Sequence, residues 1–213
     1  MTTRREARPA SVAAVRRGDA LDVANLPSYG FGNRSLMWWG TAGMMAIEGA
    51  AFAFMIVIYF YLRSLSDSWP SGGAAPDLLW GTLNLGLILV SAVPNIYADR
   101  AAIDHDLGKV RICLVILSVI GLVLLLVRAM EFTTLNVRGD ESAYGSVVWM
   151  LLGLHTFNLI TDVADSLVLT ALILKGPLEG KRFVDVAENS GYWNFVVVTW
   201  VPIYAVVYWG PRF

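Results

Sequence analysis

The stretch LHTFNLITDVAD, Leu154 to Asp165, holds the densest set of chemically capable side chains in this sequence. His155, Asn158, Asp162 and Asp165 are spaced by three, four and three residues. On a helix that spacing puts all four on one face, flanked by Thr161 and Ser166. Three chemistries fit such a stripe: a proton relay, a metal site, or a seam of hydrogen bonds to other helices. A metal is the weakest fit, because one His and two Asp have no further ligand candidates nearby in sequence. The surrounding run is apolar and long enough to cross a bilayer, so the stripe has to face protein rather than lipid. We expect at least two of the four to find side-chain partners on another helix.

Glu48 is the second such position, near the middle of an apolar run from Leu36 to Leu62. A carboxyl there costs a few kcal/mol unless it is neutralised or hydrogen-bonded. Gly43, Ala46, Ala50 and Ala53 form a stripe of small residues that would let another helix approach closely. Glu48 is therefore expected to face protein or an internal cleft. It serves there either as a proton-exchanging or lipid-headgroup-facing carboxyl, or as a structural hydrogen-bonding group. Arg128 and Glu131, three residues apart near the end of a later run, can pair on one helix face and are expected to do so at the interface. The only histidines are His105 and His155, and His105 lies in a charged loop. Two histidines would be used up by one bis-histidine haem, and a haem–copper centre needs several more. The lone Cys113 sits in an apolar run and has no partner for an internal disulfide.

These positions need helices to hold them. Of the 213 residues, 56% are hydrophobic and 15% charged, well below the roughly 25% charge of soluble domains. Five apolar segments follow one another, at about Leu36–Leu62, Leu78–Ala98, Val110–Met130, Tyr144–Leu174 and Tyr192–Tyr208. A bilayer crossing takes about 20 residues, so the first and fourth must tilt or protrude. Pro202 interrupts the last, whose ends carry Tyr192, Trp193, Tyr208 and Trp209 as an aromatic belt would. The fold class expected is all-α: an integral membrane bundle of five transmembrane helices over residues 35–213, after a polar tail over 1–34. The tail has no apolar core of signal-peptide length. With five spans, the tail and the second and fourth loops share a side. That side holds Arg4, Arg5, Arg8, Arg16, Arg17, Arg34, Arg100, Lys109, Arg111, Lys175, Lys181 and Arg182, against Arg63, Arg128, Arg138 and Arg212 opposite. The positive-inside rule then puts the N-terminus in the cytoplasm and the C-terminus outside. The near-neutral net charge of −1 argues against nucleic acid as a partner.

In order, the segments resemble subunit III of the haem–copper oxidases, the cytochrome c oxidase subunit III family, over nearly all of residues 36–210. Gly40, Ile47–Glu48 and Phe52 match that family's "G…SE…FF" helix. Trp69, Pro70, Leu83 and Asn84 match its Trp-Pro loop and following "LNT" helix, and VRAMEF is similar to its "QxxEY", with Glu131 on the glutamate. Tyr144, Gly145, Ser146, Gly153 and His155 match "YGSxFFxxTGFHGLHV", and VAENSGYWNF resembles "VENxxxYWHFVD". Five spans resemble the shorter bacterial versions. The family's second histidine of "HGLH" is Asn158 here, its "HFVD" is NFVV with Asn194 and Val197, and Asp162 and Asp165 lie outside the pattern.

The resemblance implies a non-catalytic subunit of a proton-translocating terminal oxidase in a bacterial plasma (inner) membrane. Such a subunit has no cofactor of its own, haem and copper being carried by partner subunits. It binds directly to subunit I and shares the complex with subunit II. It holds phospholipid in a cleft that Glu48 faces, and it supports proton uptake. Rival readings are an accessory subunit of a quinol oxidase or nitric oxide reductase, an assembly factor, and a proton-coupled transporter using Glu48 and the aspartates. Against the last, the spans show no inverted repeat or pair of broken helices.

Overall fold

The computed structural model describes residues 30–71, 74–176 and 180–213. The tail expected over 1–34 lies outside the described residues up to residue 29. Five long helices follow: α1 (Leu36–Ser64), α2 (Leu78–Ile103), α3 (Leu107–Thr133), α4 (Ala143–Lys175) and α5 (Gly180–Tyr204). Each is long and apolar enough to cross a membrane, and the described residues contain no strand. At 1.5 Å per residue, the 33 residues of α4 make a rod about 50 Å long, against a hydrocarbon core of about 30 Å.

Local sequence starts and stops the helices. Ser35 caps α1 by accepting from the backbone N–H of Met37 and Trp38, and Ser142 caps α4 by accepting from Gly145. Asp106 caps α3, accepting from the Lys109 backbone at 3.2 Å and pairing with its Nζ at 2.9 Å. The Lys109 contacts hold the Asp106 carboxyl below the usual carboxylate range. Arg111 Nε donates to the carbonyl of Ile173, one of the last carbonyls of α4, at 3.1 Å.

The helices α2, α3, α4 and α5 close into a four-helix bundle, each packed on the next, and α1 lies outside it against α4 and α5. In the most apolar window of each helix, 11% of α1 is buried against 56% of α5. Bundle-facing side chains on α1 reduce to Phe52 and Tyr59. The small-residue stripe Gly43, Ala46, Ala50 and Ala53 is exposed, so no helix among the described residues uses it. Close approach occurs elsewhere: a Cβ on Gly121 of α3 would stand 2.8 Å from Val163 of α4.

One sequence expectation changes. The fifth helix begins at Gly180, about three turns before the expected Tyr192. Phe183, Val186, Ser190, Trp193, Val197 and Trp200 are all buried, at steps of three and four. Lys181, Asp185 and Glu188 lie between them and dilute the apolar signal that marks a span. Pro202 lies inside α5, and after Tyr204 the chain continues into π-turns over Ala205–Trp209 and a short 3-10 turn over Gly210–Arg212.

Candidate functional site: two buried polar clusters and a cavity

The polar stripe of α4 turns gradually out of the bundle. His155, Asn158 and Asp162 are buried and Asp165 is exposed. All four bond to another helix, and they divide between two clusters.

The first cluster surrounds Arg128 of α3, which is 1% exposed. Its Nη1 lies 3.1 Å from Glu131 Oε2, a charge contact off hydrogen-bond alignment. Its Nη2 lies 3.1 Å from His155 Nδ1, and its guanidinium sits 3.8 Å over the Trp200 ring of α5. His155 Nε2 is 3.0 Å from the carbonyl of Val196. A carbonyl only accepts and a guanidinium only donates, so the imidazole hydrogen is on Nε2 and Nδ1 is the acceptor. Glu131 also accepts from Asn84 of α2 at 2.8 Å and from Tyr208 at 2.5 Å. Tyr208 reaches it across Gly81, where a Cβ would overlap the phenol ring. The Arg128–Glu131 pair thus forms as its spacing predicts, and it is buried inside the bundle.

The second cluster faces α1. Glu48 Oε2 accepts from Tyr192 of α5 at 2.8 Å and from Asn158 of α4 at 3.2 Å. Asn189 of α5 spends both amide hydrogens on aspartates: Asp162 Oδ1 at 3.1 Å and Asp165 Oδ2 at 3.1 Å. Its own carbonyl accepts from Ser166 at 3.1 Å. By helix rise, Glu48 lies about 18 Å from the start of α1, Asp162 about 20 Å from the end of α4 and Asn189 about 14 Å from the start of α5. These three helix ends lie together, so the groups meet at a similar depth.

Glu48, Asp162 and Asp165 line a cavity of about 590 Å³ between the first half of α1, the second half of α4 and the first half of α5. Met37, Met44, Phe157, Val168 and Leu172 supply its apolar wall, and Lys181 and Arg182 stand toward the helix ends. An apolar pocket of this volume with a few convergent polar groups is the form a small-ligand site takes. Asn189 and Tyr192, both lining it, are absent from the candidates read from sequence: Asn189 falls before the expected start of the fifth span, and Tyr192 is read only as part of an aromatic belt. The signal was present: Asn189, Tyr192 and Val196 follow at steps of three and four. Asn194, in place of a family histidine, accepts from Asn95 of α2 at 3.0 Å.

The sequence profile of the family Cytochrome c oxidase subunit III matches residues 39–211. This chain belongs to the cytochrome c oxidase subunit III family. Among curated proteins, it is 25% identical over 158 residues to cytochrome c oxidase subunit 3 of Pelomedusa subrufa, covering 70% of this chain and 60% of that one. It is 25% identical over 177 residues to that of Myxine glutinosa, covering 78% and 67%. It is 28% identical over 176 residues to the probable cytochrome c oxidase subunit 3 of Mycobacterium tuberculosis, covering 79% and 85%. The chain thus spans about two thirds or less of the length of the two animal relatives and most of the bacterial one. Family membership and five membrane-length helices make it a multi-pass membrane protein of the oxidase subunit III type.

Proposed function

We propose that this chain is the non-catalytic subunit III of a haem–copper terminal oxidase in a bacterial plasma membrane, with its N-terminus cytoplasmic. It packs directly on subunit I, stabilises it, and shares the complex with subunit II. Haem and copper belong to those partners. The exposed small-residue stripe of α1, Gly43 to Ala53, gives a neighbouring helix a surface to approach closely. The observation that carries the reading is the cavity holding Glu48. It is apolar enough for acyl chains, it has cations near one end, and it surrounds a carboxyl gripped by Tyr192 and Asn158. We read it as a phospholipid cleft whose carboxyl supports proton uptake by the complex.

The test is to tag the C-terminus, solubilise the native membrane in mild detergent, and record the reduced-minus-oxidised spectrum of what co-purifies. Stoichiometric haem with larger subunits is expected, and the band positions name the haem type. A colourless, isolated protein in several mild detergents would overturn the subunit assignment.

A further inference from the structure

The cavity between α1, α4 and α5 carries more negative than positive charge. Glu48 comes from α1, Asp162 and Asp165 from α4, and Asp185 and Glu188 from α5, against Lys181 and Arg182. Arg182 is engaged by Asp185 at 3.3 Å. Among the described residues, no Lys, Arg or His lies within 4 Å of the carboxylates of Asp162 or Asp165. Asn189 satisfies one oxygen of each, but an amide brings no charge. Asp162 is 2% exposed, and its Oδ2 has no hydrogen-bond partner. A buried carboxylate oxygen without a donor is costly. A ligand that enters the cavity and donates to it removes that cost.

We propose that this cavity binds a primary ammonium group, carried by an aminophospholipid headgroup, with Asp162 and Asp165 as its acceptors. An ammonium offers three N–H donors and one positive charge, which match the free Asp162 Oδ2 and the exposed carboxylate of Asp165. A bare metal ion fits less well, since no three ligating side chains are grouped among the described residues. The apolar wall suits acyl chains, and Lys181, unpaired among the described residues, stands in the same cavity to meet the phosphate. Both aspartates lie outside the family motifs that this sequence resembles. The inference rests on the phospholipid-cleft reading and adds headgroup choice to it.

The experiment uses the intact complex, purified and exchanged into detergent with equal amounts of phosphatidylethanolamine, phosphatidylcholine and phosphatidylglycerol. Lipid retained on this subunit is counted by native mass spectrometry. Wild type is expected to retain phosphatidylethanolamine over both others by about tenfold, the size of one charge-assisted hydrogen bond. Choline carries the charge without an N–H, and glycerol carries neither. The double variant Asp162→Asn, Asp165→Asn is expected to bring the preference below about twofold. The wild-type comparison stands by itself if that variant fails to assemble. Free ethanolamine is a separate arm: binding of it without lipid selection would keep the ammonium subsite and assign it to a soluble amine. Equal retention of all three lipids, with no ethanolamine binding, overturns the inference and leaves the cleft reading intact. Retention of no phospholipid overturns the cleft reading itself.

Discussion

The Arg128–Glu131 pair gives the sharpest test of the fold's energetics. Replacing Glu131 by Gln keeps the shape and leaves a guanidinium that is 1% exposed without its carboxylate. Breaking a buried ion pair from one side costs about 3–5 kcal/mol. Trp200 still faces the cation at 3.8 Å and His155 still accepts from it, so the cost falls at the low end, about 3 kcal/mol. Arg128→Met alone leaves Glu131 with Asn84 and Tyr208 as donors, and is expected to cost a similar amount. The double variant removes both charges and is expected to recover to within about 1 kcal/mol of wild type, because no charge is then left buried without its partner and the glutamine at position 131 keeps Asn84 and Tyr208 as neighbours. The assay is a double-mutant cycle by denaturing-detergent titration in mixed micelles, read by Trp fluorescence, since Trp200 contacts the pair. Near-additive losses in the double variant, or a Glu131→Gln cost under about 1 kcal/mol, would refute the reasoning.

Further outcomes follow from the same packing. Gly81→Val drives a side chain into the Tyr208 ring and should cost about 1–3 kcal/mol. Gly86→Val, with nothing within 4 Å of its Cβ, should stay within about 0.5 kcal/mol; equal losses at the two sites would remove the steric account. Asn189→Leu strips the donor from both aspartates and should cost about 1–3 kcal/mol in the same titration, while Asn189→Gln should recover part of it. For orientation, a Cys113→Ser background takes a new cysteine at Asp104 or at Asp140, both exposed loop positions. An impermeant maleimide should label Asp104→Cys only from the cytoplasmic side and Asp140→Cys only from outside. The reverse pattern would refute the orientation drawn from the Lys and Arg count.

The parts that could be read from sequence are those where one physical signal acts alone. Spans α1 to α4 are continuous apolar runs between breakers, and their helices exceed the expected bounds by only a few residues. The stripe of α4 was readable because polar groups inside an apolar run can point only at protein, and each of its four members has a partner on α1, α3 or α5. What failed was α5, where two requirements share one helix. Its first three turns serve both the bundle, through Phe183 and Val186, and the charged cavity, through Lys181 and Asp185. That mixture lowers hydropathy to loop values while keeping helical periodicity, so a reading by run length starts the helix at Tyr192. The same error hid Asn189, and with it the geometry of the cavity. The Arg128–Glu131 spacing predicts a pair equally well on a surface or in a core. Its burial depends on Asn84 and Tyr208 arriving from α2 and from the turns after α5, which local sequence does not encode. Charge placed inside this bundle is therefore matched by contacts from distant segments. The Asp162–Asp165 pair, held by an amide alone, is the place where the chain itself leaves that matching incomplete.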